Sequence, residues 1–198
     1  MAFMKTSVEP KSLSLFGLVK YSVDFFGAQF PLVFGAGLVA ALGRAIQLGA
    51  MHEVSRGVNT ILEIIIETAR ILTFLLVLGE GSIGKGAQRV KSIFLLNRPQ
   101  WKSTWSVVLA RLKVNWIALV INLLMYSAVA FIINFIIDKL AYDTDLLTML
   151  QNSRILAPKT SEWVLLLFFK NLTVIPFTII FNGVLLLWVT SNLSNREL

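Results

Sequence analysis

The sequence predicts an all-α integral membrane protein of about four transmembrane helices, accompanied by one or two amphipathic interfacial helices. Three observations carry that reading. Hydrophobic residues make up 56% of the 198-residue chain and charged residues 15%, where soluble domains average about 45–50% apolar and about 25% charged. The apolar residues gather into four runs near the length of about 20 residues that a bilayer crossing needs. The formal net charge of +7 is concentrated in one stretch between the second and third runs. Length and pattern suit a single polytopic domain over residues 1–198. With no cysteine in the chain, disulfide scaffolds, thiolate metal sites and cysteine nucleophiles are excluded.

At the N-terminus, Lys5, Glu9 and Lys11 precede an apolar run that Lys20 and Asp24 interrupt, which argues against a cleaved signal peptide. Lys20 and Asp24 form an i,i+4 pair. Residues 12–27 fit an interfacial helix and fit equally well the lower turns of the first span. That span is placed at about 30–50, with Pro31 tolerated in its opening turn. Its glycines and alanines, Gly35, Gly37, Ala40 and Gly43 among them, let a neighbouring helix come close. Arg44 and Gln47 are its strongly polar face. The short connection through His52 and Glu53 makes spans one and two an antiparallel hairpin.

The second span, about 58–78, is the most informative stretch. At 100° per residue, Arg56, Asn59, Thr60, Glu67 and Arg70 all fall within about 60° of Glu63, on one narrow stripe of an otherwise apolar helix. A membrane helix with such a stripe turns it toward other helices, a partner or water, not toward lipid. After it comes Gly-Glu-Gly-Ser-Ile-Gly-Lys-Gly. Gly79, Gly84 and Lys85 match the spacing of a phosphate-binding loop, but Gly86 stands where magnesium needs Ser or Thr, and no α/β context surrounds it. The run reads as a flexible glycine loop.

Residues 80–113 hold Lys85, Arg89, Lys91, Arg98, Lys102, Arg111 and Lys113 against Glu80 alone, so by the positive-inside bias this loop is cytoplasmic. Val90, Ile93 and Phe94 have amphipathic spacing, and Trp101 and Trp105 suit the headgroup region. Arg89, Lys91, Arg98, Lys102, Arg111 and Lys113 are the candidate contacts to anionic lipid headgroups. Nucleic acid competes for the same residue types, but lipid is the nearer polyanion, and no nucleic-acid partner is expected.

The third span is placed at about 114–137, with Trp116 at its cytoplasmic end and Asn115 and Asn122 on one face, suited to interhelical hydrogen bonds. In the loop that follows, Asp143-Thr144-Asp145 resembles a metal-binding pair, but two carboxylates without a third ligand are common in solvated loops. The fourth span, about 163–189, is bracketed by Trp163 and Trp188 and contains Lys170, Asn171 and Pro176. Pro176 kinks it and frees a carbonyl, with Asn171 or Thr173 close enough to compensate.

With the basic loop inside, spans one and three run outward, spans two and four return, and both termini lie in the cytoplasm of an inner membrane. Arg44, Glu63, Glu67 and Lys170 then sit roughly 8–14 Å below the outer surface at about 1.5 Å per residue, with Arg70 a turn deeper. The expectation is one intramembrane charge cluster of these five residues, span two packing its stripe toward spans one and four so that Arg44 and Lys170 approach the glutamates.

Catalysis is the least favoured class. His52 is the only histidine, and neither H-E-x-x-H nor G-x-S-x-G occurs; no catalytic residue, cofactor or metal ligand is expected. The preferred function is a non-catalytic membrane subunit or accessory protein that packs against partner membrane proteins or against itself. The alternative is a small transporter or channel subunit that uses the charge cluster, for which four spans without an internal repeat would require oligomerisation.

Overall fold

The computed structural model describes residues 13–51 and 54–190, and among them every regular element is a helix. In order these are α1 (Gly17–Ala28), α2 (Phe30–Gln47), α3 (Arg56–Leu78), α4 (Ile83–Phe94), α5 (Arg98–Val114), α6 (Trp116–Tyr142), α7 (Leu146–Asn152), α8 (Glu162–Leu172) and α9 (Val174–Val189). Among the described residues, three stretches are long and apolar enough to cross a membrane: α2, α6, and Glu162–Val189 taken through α8 and α9. The 23 residues of α3 are as long as such a span, but Glu63, Glu67 and Arg70 interrupt its apolar run.

The segment before α2 is a helix of its own. Gln29, at φ −108° and ψ 19°, breaks the chain between α1 and α2. No side chain of its own caps the start of α1; α6 does so instead. Asn122 Oδ1 accepts from the backbone N–H of Leu18 at 2.9 Å and of Val19 at 3.3 Å, and its Nδ2 donates to the Ser14 carbonyl at 3.0 Å. Asn115 Oδ1 accepts from Leu13 N–H at 2.8 Å. Asn122 therefore satisfies two orphan donors of a buried helix start, while Asn115 holds the segment that leads into it. Lys20 and Asp24 are exposed and form no ion pair among the described residues.

Antiparallel packing joins α2 and α3: Gly43 lies against Ile66, Arg44 against Glu63 and Gln47 against Asn59. Residues 52 and 53 of their connection, His52 included, lie outside the described residues. The glycine run after α3 is a tight corner, not a loose loop. Glu80 and Gly81 take φ of 51° and 97°, and Ser82 Oγ accepts from Lys85 N–H at 3.5 Å to start α4. A Cβ on Gly86 would stand 1.9 Å from the Leu75 carbonyl oxygen, so α4 lies on α3 with no room for a side chain. Gly86, the residue that departs from the phosphate-loop pattern, is thus accounted for by helix contact.

The 80–113 stretch forms two helices, α5 opening on a capping box in which Asn97 and Gln100 bond each other's backbone N–H at 3.0 and 2.9 Å. Near the far end of the chain, Glu162–Val189 is broken at Thr173 (φ −128°, ψ −73°), three residues before Pro176. Asn171 Nδ2 and Thr173 Oγ1 donate to the carbonyls of Leu167 and Phe169 at 2.8 and 2.7 Å. Gly37 of α2 nestles at this break, 3.2 Å from the Asn171 carbonyl oxygen to where a Cβ would stand.

The cores sort by position along the helices. One cluster unites Leu18 and Val33 with Leu78, Ala118 and Val184, close to the C-terminal ends of α3 and α9. Others, containing Ala45, Ala50 and Val164, and Ile137, Ala141 and Leu166, occupy the opposite ends of these helices. Tyr126 of α6 stacks on Phe181 of α9 at 4.4 Å, and its hydroxyl lies 2.8 Å from Thr178 Oγ1.

Candidate functional site: the polar face of α3

The antiparallel register of α2 and α3 brings Arg44 to Glu63. The guanidinium Nη1 and Nη2 donate to Oε2 and Oε1 at 3.1 and 3.3 Å, a fork on both carboxylate oxygens. Gln47, one turn further along α2, donates from Nε2 to Glu63 Oε2 at 3.0 Å and to the Asn59 carbonyl at 2.9 Å. Gln47 Oε1 is buried with no partner among the described residues.

One turn further along α3, Arg70 pairs with Glu67 at 2.5 Å within the helix, and its Nη2 donates to Asn171 Oδ1 at 2.9 Å, tying α3 to the last turn of α8. Arg70 Nε is buried with no partner among the described residues. The structure thus divides the five-residue cluster into two ion pairs, each tied to a neighbouring helix. Lys170 is not part of either: it forms no ion pair among the described residues, and Arg70 takes the place beside Glu67 expected for it. Neither carboxylate is enclosed. The side chains of Glu63 and Glu67 are 47% and 48% exposed. Arg56, Asn59 and Thr60 continue the same face, all exposed. Beside Glu67 and Arg70 a groove of about 510 Å³ runs between α3 and α9, with Ile71, Phe74, Ile179 and Asn182 on its walls.

The basic stretch departs from its expected role at two positions. Arg89 is turned inward: it bonds the Leu78 carbonyl at the end of α3 and pairs with Glu80 at 2.7 Å. Arg111 is only 7% exposed, and its Nη1 donates to the Trp188 carbonyl at 2.6 Å in the last turn of α9. Burial pushes the Arg111 guanidinium below its ordinary pKa. These two cations hold the carbonyl ends of helices, a favourable position for positive charge, so their guanidinium groups are engaged within the bundle. Lys91, Arg98, Lys102 and Lys113 are exposed.

Asn171 as the acceptor for Arg70 and Arg111 as a helix cap were not found by sequence reasoning. The kink signal around Pro176 pointed to Asn171 but not to what it would bond. Nothing in the pattern separates Arg111 from the cations around it. Among the described residues, no three His, Asp or Glu side chains converge as a metal site, Asp143 being paired with Lys139. Comparison with protein-family models, with curated proteins and with solved structures finds no match for this chain.

Proposed function

We propose that this chain is a four-span, non-catalytic subunit or accessory protein of a membrane complex, and that the polar face of α3 is where a partner membrane protein docks. The fourth span is α3. It lies antiparallel along α2, with Leu76 and Leu78 in the core cluster that holds Val33 at one end of that helix and Glu63 against Arg44 toward the other, so that a bilayer crossed by α2 holds α3 at the same depth. The positive charge of residues 80–113 puts α4 and α5 on the cytoplasmic side of an inner membrane. Both termini then lie on that side as well, and α7 lies outside.

The observation that carries the docking reading is the half exposure of Glu63 and Glu67 on a helix otherwise covered with isoleucine and leucine. A charge at the bilayer centre costs about 2.5–3.5 kcal/mol on insertion scales even before further burial terms. Arg44 and Arg70 shield each carboxylate on one side only. A helix laid over the face, with polar groups of its own, removes the remainder from hydrocarbon and gains interhelical hydrogen bonds of about 0.6 kcal/mol each.

The test places a photo-crosslinking side chain at Glu67 and, as a lipid-facing control, at Ile132 of α6 (56% exposed). In native membranes the expected result is one discrete protein adduct from position 67 and none from 132. Labelling of Glu67→Cys by an impermeant maleimide in intact membranes, with an ion flux that Glu67→Gln abolishes, would replace docking with the transport reading.

A further inference from the structure

Three of the exposed cations of the basic stretch share one face of a single helix. At 100° per residue, Arg98, Lys102, Trp105, Leu109 and Lys113 fall within an arc of about 80° on α5. Trp105 and Leu109 are 58% and 50% exposed, and the three cations are exposed and make no ion pair among the described residues. The other side of the helix is spent on the bundle: Val108 is buried and Arg111 grips the Trp188 carbonyl. At the corner preceding α5, Phe94 and Leu95 are 81% and 71% exposed, next to Lys91. Only Asn115 separates α5 from α6, a helix long and apolar enough to span, and Trp116 at the start of α6 is exposed. The C-terminal end of α5 is therefore tethered where that span leaves the bilayer.

We propose that this face of α5 is a binding surface for anionic phospholipid. Arg98, Lys102 and Lys113 contact the phosphates while Trp105 and Leu109, with Phe94 and Leu95 at the corner, enter the boundary between headgroups and acyl chains. Exposed Trp105 and Leu109 flanked by cations offer both the apolar burial and the electrostatic attraction on which binding to an anionic bilayer surface depends, and each cation near an anionic surface contributes about fivefold in binding. Trp suits that depth because its ring is apolar and its N–H is polar. The bound lipid also acts on the bundle: the same helix holds the end of α9 through Arg111, so headgroup contact fastens α5 against the C-terminal end of that span. The inference rests on α6 crossing the membrane and is independent of what docks on α3.

The chain has no cysteine, so Leu109→Cys gives a single labelling site for an environment-sensitive fluorophore on the full-length protein. It is reconstituted in phosphatidylcholine vesicles containing phosphatidylglycerol, with a shallow spin-label quencher carried on one lipid or the other. The expected result is quenching from the bilayer, stronger by at least about twofold when the quencher rides on phosphatidylglycerol. Combined Arg98→Gln, Lys102→Gln and Lys113→Gln substitutions, or high salt, should abolish that preference. A fluorophore in water, unquenched by either lipid, would overturn the proposal and leave the face to a soluble acidic protein or nucleic acid. Equal quenching by both lipids would overturn it too, since the face would then sit on the bilayer without selecting a headgroup.

Discussion

Glu63 accepts from both terminal nitrogens of Arg44 and from Gln47, so removing Arg44 alone leaves a half-exposed carboxylate with one amide for company. Hydrogen bonds to charged groups are worth about 1.5–3 kcal/mol, and an orphaned charge loses at least that much. Arg44→Leu is therefore expected to lower the melting temperature in detergent by about 3–10 °C, at roughly 2–4 °C per kcal/mol for a chain of this size. The Arg44→Leu, Glu63→Leu pair removes both charges and should recover a good part of that loss, which a thermal-shift double-mutant cycle measures. If the double variant melts lower than either single one, the ion pair is not what holds these side chains. Single-residue chemistry was partly legible in the sequence. The stripe on α3 is arithmetic on helical spacing, and an arginine three residues from the end of α2 across a short hairpin is the natural partner for it. Which cation sits beside Glu67 was not legible, because Arg70 at i+3 and Lys170 on another helix are equivalent until the packing of α8 is known. Arg111 was illegible for a related reason: Lys113, two residues away, has the same charge and the opposite fate.

Elements show the same division between pattern and packing. The long apolar helices can be read directly from composition, and so can a kink near Pro176. The break falls at Thr173 because Asn171 and Thr173 side chains take carbonyls of the preceding turn, a choice among neighbours that proline alone does not make. The corner after α3 reads as flexible from its glycines, whereas the structure uses them for closeness. Gly86 and Gly84 differ by two positions on α4, yet a Cβ at Gly86 meets the Leu75 carbonyl while one at Gly84 meets nothing within 4 Å. Gly86→Ala is expected to push α4 off α3 and cost about 1–3 kcal/mol or more. Gly84→Ala should be neutral or stabilising by up to about 1 kcal/mol, since alanine is the better helix former. Melting curves of the two variants compare them directly. Equal tolerance of both would mean that α4 is not packed on α3 as described, and that the run is the loose loop its composition suggests.

The arrangement of the whole molecule turns on whether α3 crosses, because α2, α6 and α8–α9 qualify as spans on composition and α3 does not. Its position makes the question decidable. Ala157 N–H donates to the Ala50 carbonyl at 2.7 Å, joining the connection after α2 to the connection before α8. Met51 and Lys159 must therefore lie on one side of the bilayer, whichever side that is. With α6, long and apolar enough to span, crossing between them, Lys85 lies on the opposite side from Lys159. A crossing α3 puts Met51 and Lys85 on opposite sides; an α3 lying in the interface would leave them together and would break the bond between the two connections. Single cysteines at these three exposed positions, labelled with an impermeant maleimide in intact and then in opened membranes, are expected to group Met51 with Lys159 outside and to leave Lys85 accessible only after opening. Met51 labelling together with Lys85 would remove the fourth span, and with it the intramembrane setting that makes the half-exposed glutamates costly. The carboxylates would then be ordinary interfacial charges that require no partner, so the docking surface on α3 stands only if the helix that bears it crosses.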